Sequence, residues 1–243
     1  GKKNSNSIGV LFPHNPDNKE VIWAYASRYI ETQYGGQAEI LLRAAGTDEE
    51  TQAQQARELI KAGVDVLILA AVNVNSAAAI VRQAHDNDIK VIAFDRMISH
   101  SEPDYYISFE YEKGGELVAK YAIGQEPGGN FVLLWGSRTD HNAVLVKQGQ
   151  EKVIVPANNM DKISVLYKGY VSWYYEQAFR KMERVITHTA DSIDAVLASN
   201  DRIAHAAYDA LEKHGLGKNV FISGMDADLA ACQRIAQGKQ SCT

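Results

Sequence analysis

The sequence predicts an α/β protein of two lobes, each a parallel sheet flanked by helices. Two observations carry this. Short β-rich apolar runs alternate with helical patterns along nearly the whole chain, and the alternation breaks once, near residues 99–110. Size is compatible: 243 residues suffice for one large α/β domain or two small lobes. Alternation of this kind makes a parallel sheet, because each helix returns the chain to begin a new strand beside an earlier one.

The predicted strands of the first lobe are SIGVLF (7–12), AEILLRA (38–44), VDVLILAA (64–71) and KVIAFD (90–95). Later come YYISF (105–109), NFVLLW (130–135), KISVLY (162–167), DAVLAS (194–199) and NVFISG (219–224). Most are continuous apolar runs, the pattern of strands covered on both faces. Helical patterns occupy 18–34, 48–62, 75–87, 111–123, 140–152, 174–188, 201–214 and 227–237. TDEETQ (47–52) puts a capping residue and acids at a helix start, where the macrodipole favours them. KAG (61–63) and KHG (213–215) put a base and a glycine at helix ends.

The break is the stretch SHSEPD (99–104), polar with one proline, followed by YYISFE and a new helix, EYEKGGELVAKYA. Two strands follow one another there with no full helix between them. The chain is expected to leave one sheet and enter a second, giving lobes at 1–108 and 109–243.

Several function classes find no support. A formal charge of −5 argues against a nucleic-acid partner. No apolar run approaches the ~18 residues of a membrane span. The opening GKKNSNS reads as a linker, a lipoprotein tether or a cloning remnant. Cys232 and Cys242 fit no metal spacing and could pair only if the last segment folds back. There is no HExxH, no GxxxxGK[ST], no GxGxxG after the first strand and no GxSxG elbow, so neither a catalytic metal nor a nucleotide cofactor is expected. Gly114-Gly115, inside a helical pattern, reads as a packing contact.

The informative residues follow the strands. In VIAFDRM (91–97), four apolar positions end in Asp95 and Arg96, charges that are costly to bury unless partnered. FVLLWGSRTDHN ends in Asp140, His141 and Asn142; VLASND ends in Asn200-Asp201; FISGMDAD ends in Asp226 and Asp228. Open α/β sheets bind ligands beyond the carboxyl ends of their strands. Carboxylates that accept from paired hydroxyls, an arginine fork and an asparagine suit a sugar, whose flat C–H face needs an aromatic wall. Phe12, Trp135, Trp173 and Tyr174 are the aromatics available. Of these Trp135 reads as core, while Trp173 and Tyr174, after the turn GYVS, read as pocket wall. Asp201 and Asp228 read as helix caps, and Arg96 as either a ligand group or a structural partner of Asp95.

With these residues placed, the chain from Ile8 to Thr243 resembles the type I periplasmic sugar-binding proteins, and among them most closely the D-xylose-binding proteins. The resemblance rests on EETQ (49–52), GVDVLIL (63–69), IKVIAFDRMI (89–98), YYISFEYEKGGELVAK (105–120), Asp140–Ala143, LASND (197–201) and ISGMDADLAACQRIAQGKQ (222–240). It implies two hinged Rossmann-like lobes that clamp a monosaccharide. Asp95 and Arg96 would bind from the first lobe; Asp140, Asn142, Asn200 and Asp226 from the second, with Trp173 stacked on the ring. The first loop, LFPHNPDNKEVIW, supplies Phe12, His14 and Lys19 as further candidates. The resemblance also implies no catalysis, no cofactor and no metal. It places the protein in the periplasm or outside the cell as a membrane-anchored lipoprotein, serving the permease of an ABC importer or a sensor histidine kinase. Family members continue past the QSCT-like segment, so a further strand, helix and pocket lysine are expected beyond Thr243. Two other readings remain. The effector core of a LacI-type repressor needs an N-terminal helix-turn-helix, which seven polar residues do not supply. A sugar-modifying enzyme on the same fold lacks a nucleophile–base pair.

Overall fold

The computed structural model describes residues 6–13, 29, 32–34, 37–46, 48–138, 140–189 and 192–243. The chain divides into two compact units, Gly1–Phe109 and Glu110–Thr243.

In the first unit the chain runs β1 (Asn6–Phe12), β2 (Ala38–Ala44), α1 (Glu49–Ala62), β3 (Val66–Leu69), α2 (Ala78–His85), β4 (Lys90–Phe94) and β5 (Tyr105–Ile107). All five strands are parallel, in the order β2-β1-β3-β4-β5. Leu11, Leu67, Leu69 and Val91 on the central strands are fully buried with Leu59 of α1, which explains the unbroken apolar runs. Asp48 caps α1 by accepting from the Glu50 and Thr51 amides, and Gly63 closes it in the left-handed conformation at φ 71°. The predicted helix at 18–34 falls almost wholly outside the described residues. β3 is shorter than the predicted 64–71. Asp65 instead turns its carboxylate back to the Ser7 amide at 2.7 Å, and Ala70 and Ala71 begin the loop that follows. β5 is also short. Its three residues are all exposed, with Tyr105 at 65%.

The second unit runs α3 (Tyr111–Gln125), β6 (Asn130–Trp135), α4 (His141–Asn159), β7 (Ser164–Tyr170), α5 (Tyr175–His188), β8 (Ala195–Ala198), α6 (Asp201–Lys213), β9 (Phe221–Ser223) and α7 (Leu229–Ala236). Its four strands are parallel in the order β7-β6-β8-β9. A parallel bridge from Ser223 to Cys242 brings the last residues alongside β9. Every residue of β8 and β9 is buried. α4 extends past the predicted end at 152, because Ile154 and Ala157 continue its buried face through Pro156. β7 extends to Tyr170, since Lys168, Gly169 and Tyr170 stay in register with Leu133, Leu134 and Trp135. α3 and α4 lie very close. A Cβ on Gly115 would overlap the Val146 carbonyl oxygen, and one on Gly149 the Glu112 carbonyl oxygen. Glycine at Gly115 is therefore a packing requirement.

Candidate functional site

At the carboxyl end of the first sheet, β1, β3 and β4 are neighbours. The chirality of the backbone changes where β4 stops. The Arg96 amide donates to the Phe94 carbonyl at 2.7 Å across Asp95, which has φ 64°. This is a γ-turn of the positive-φ kind, a strained conformation for a residue with a Cβ. Its surroundings hold it. The Asp95 amide donates to Ile107 O at 2.8 Å, and Asp95 O accepts from Ser108 Oγ at 2.8 Å and Tyr106 Oη at 3.2 Å. Strain concentrated at a strand end in this way is a pointer to function.

Arg96 is fastened from the neighbouring strand. Its Nη1 donates to Ala71 O at 3.1 Å and Val72 O at 3.4 Å, just past β3. That loop is itself held by Gln52 of α1, which is 2% exposed. The Gln52 amide donates to Ala70 O at 3.0 Å and accepts from the Val72 amide at 2.8 Å. Phe12, at the end of β1, packs edge-on against Phe94 with ring centroids 6.2 Å apart. Phe12, Asp95 and Arg96 thus share one end of one sheet. His14 and Lys19 lie outside the described residues.

At the carboxyl end of the second sheet, the predicted residues come from all four strands. Asp140, after β6, caps α4 through the Asn142 amide at 3.0 Å and accepts from Trp173 Nε1 at 3.1 Å. Trp173, after β7, lies with its six-membered ring over Gly136, where any Cβ would overlap it. Ser172, at φ 64°, turns the chain so that the indole can do this. Asn200, after β8, caps α6 through Ile203 N at 3.0 Å using Oδ1, so its Nδ2 hydrogens take no part in the cap. Asp226, after β9, is exposed and sits at φ 103°, outside the ordinary left-handed well. Asn142 is 7% exposed, in the first turn of α4. Tyr174 is 55% exposed at the start of α5, and Trp135 is core, 3% exposed with Nε1 donating to Gln150 Oε1 at 2.9 Å.

One expectation needs correcting. Asp201 does not cap α6; Asn200 does. Asp201 is 1% exposed, and its carboxylate accepts from Gln240 Nε2 at 2.9 Å, Thr243 Oγ1 at 2.8 Å and the Asp228 amide at 3.0 Å. Burial pushes this carboxyl above its ordinary value, against the lowering pull of those donors. Asp228 is a cap, donated to by the Ala231 amide at 2.6 Å. Gly136 and Gln52 are not singled out by the sequence, and Asp201, marked there as a strand-end residue, reads as a cap. Each acts through a partner 18 to 42 residues away, or through one ring laid on a glycine. The one local clue was Gln52, within EETQ, as a polar residue on the apolar side of an amphipathic helix.

Among the described residues, no group of three or more His, Cys, Asp or Glu is placed to hold a metal ion, and no helix is long and apolar enough to cross a membrane.

The two units are thus parallel α/β sheets, each with polar side chains placed just beyond the carboxyl ends of its strands. Residues 10–243 match the periplasmic binding protein domain, and the chain belongs to that family. It is 44% identical over 207 residues to the D-xylose-binding periplasmic protein of Escherichia coli K12, covering 85% of this chain and 63% of that one. It is 40% identical over 207 residues to the D-xylose-binding periplasmic protein of Haemophilus influenzae, covering 85% of this chain and 62% of that one. The chain therefore spans a little under two thirds of the length of these relatives. Among solved structures, it superposes with a TM-score of 0.82 and 25% identity on an ABC transporter solute-binding protein of Clostridium phytofermentans with bound β-D-glucose, covering 97% of this chain and 77% of that one.

Proposed function

We propose that this chain forms the sugar-binding part of an extracytoplasmic solute-binding protein, and that its sugar is D-xylose. The observation that carries the reading is the strained turn that sets Asp95 and Arg96 at the end of β4, matched by Asp140, Trp173, Asn200 and Asp226 at the strand ends of the second unit. Carboxylate and guanidinium groups placed just past a strand end can make charge-assisted hydrogen bonds to sugar hydroxyls. The 44% identity to a D-xylose-binding protein supports the choice of sugar.

In this reading Asp95 accepts from two neighbouring sugar hydroxyls, and Arg96 donates to a third while anchored on Ala71 and Val72. Asp226 accepts, Asn200 donates through Nδ2, and Asp140 and Asn142 complete the polar set. Trp173 stacks on the C–H side of the sugar ring, with Phe12 as a second aromatic. His14 and Lys19 stand as candidates from the first loop. The role is binding, without catalysis. The protein serves an ABC permease or a sensor histidine kinase and works outside the cytoplasm, carried on a lipoprotein tether. The family and relatives named above give the repressor reading no support.

Calorimetric titration with D-xylose, D-ribose, L-arabinose and D-glucose tests this. Micromolar binding of D-xylose, about −8 kcal/mol, is expected. Equal or tighter binding of glucose or ribose overturns the pentose assignment, and binding of none overturns the sugar reading.

A further inference from the structure

Asp226 stands on a backbone that does not hold itself in place. It has φ 103° and the next residue, Ala227, has φ 51°, so two successive non-glycine residues occupy the unfavourable half of conformational space. Conformations of this kind persist only when the surroundings over-determine them. Here the loop is pinned on both sides of Asp226. Met225 O accepts from the Asp201 amide at 2.9 Å, the Asp228 amide donates to Asp201 Oδ2 at 3.0 Å, and the Ala227 amide donates to Thr243 Oγ1 at 3.0 Å. Thr243 Oγ1 in turn donates to Asp201 Oδ2 at 2.8 Å. Each tether leads to Asp201, directly or through Thr243.

The same side chain also ties in the 240–243 segment. Gln240 Nε2 donates to Asp201 Oδ1 at 2.9 Å, and Gln240 Oε1 is held by Arg234 Nε at 3.1 Å. Arg234 Nη2 also donates to Asp201 O at 3.3 Å. The chain immediately before Asp201 is Asn200, whose own amide caps α6. Gly224 is compelled as well, since a Cβ there would overlap Asp201 Oδ1. Three donors, from Gln240, Thr243 and the Asp228 amide, converge on two oxygens. Only an acceptor without hydrogens of its own satisfies all of them.

We propose that Asp201 is the positioning residue of the sugar site, fixing Asn200 and Asp226 together by tying the 224–228 loop and the 240–243 segment to the head of α6. It touches no ligand. The proposal rests on the sugar-binding reading above and extends it to a residue that acts through its neighbours.

Asp201→Asn is the informative change. Whichever way the new amide is turned, its NH2 group faces Gln240 Nε2 or the Thr243 hydroxyl and Asp228 amide, so a donor meets a donor while the shape is kept. Thr243→Val removes one tether from an exposed position and serves should the asparagine variant fail to fold. Leu211→Ala, buried in α6 and outside the tethers, is the control for simple destabilisation. Two measurements are made on each: amide exchange in the sugar-free protein, and calorimetric titration with D-xylose. Exchange across 225–228 is expected to quicken about tenfold in Asp201→Asn, with α5 unchanged, and affinity to fall about tenfold. Thr243→Val is expected to show a smaller loss in the same places, and Leu211→Ala wild-type affinity despite a lower melting temperature. Unchanged exchange at 225–228 in folded Asp201→Asn and Thr243→Val overturns the proposal. So does faster exchange with wild-type affinity, or an equal affinity loss in Leu211→Ala. A wild-type protein that binds no monosaccharide overturns the functional reading and the proposal together, and is told apart because it fails without any substitution.

Discussion

Trp173 donates its indole N–H to Asp140 at 3.1 Å while its ring occupies the space a side chain on Gly136 would need. The carboxylate that caps α4 is thus also the stop against which the aromatic is set. Gly136→Ala should displace the Trp173 ring without substituting any residue proposed to bind the sugar. An affinity loss of about tenfold is expected, close to that of Trp173→Ala, as for one aromatic contact. Intrinsic fluorescence of the variant should shift as the indole moves. Wild-type affinity in Gly136→Ala would separate Trp173 from the site.

Asp95 distinguishes strain from binding. Glycine has no Cβ penalty at φ 64°, so Asp95→Gly should keep the turn and the melting temperature while sugar binding is lost. Asp95→Ala carries the same Cβ in that conformation as wild type, so it adds no strain and should likewise lose the sugar while melting close to wild type. Thermal melts beside titrations read both. An Asp95→Gly protein that melts much earlier and still binds would make Asp95 a structural residue.

Gln52 fastens the loop that anchors Arg96, with both ends of its amide occupied on Ala70 and Val72. Gln52→Leu keeps the volume and strands two backbone groups. Urea unfolding should show a loss of about 2 kcal/mol. An unchanged transition would mean that the loop finds other partners.

Asp104 predicts a pH dependence. The Lys90 ammonium, the Val91 amide and His85 hold its carboxyl well below the usual carboxylate range. A depressed folded pKa contributes stability that is fully present above the unfolded value of about 3.9 and fades as pH falls through the folded one. Lys90 is 69% exposed, so solvent screens the ion pair and about 1 kcal/mol is expected from Asp104→Asn at pH 7. The gap between wild type and variant should close between about pH 4 and pH 2. A gap independent of pH would assign the loss to packing.

The sequence by itself determined the alternation of strand and helix, because buried parallel strands require unbroken apolar runs and helices require capped amphipathic ones. It also marked Asp95, Arg96, Asp140, Asn200 and Asp226, since charged and amide groups directly after such runs are conspicuous in a linear chain. Element ends were less legible. β7 continues to Tyr170 only because β6 lies beside it, and α4 continues through Pro156 only because Ile154 and Ala157 have a core to enter. Tertiary structure alone decided which of two adjacent residues, Asn200 and Asp201, is the cap and which is the buried clamp. Both are good capping residues, and local propensity is the same for either. The choice was made by Gln240, Thr243 and the Asp228 amide, donors 27 to 42 residues away that converge on one carboxylate only in the folded chain.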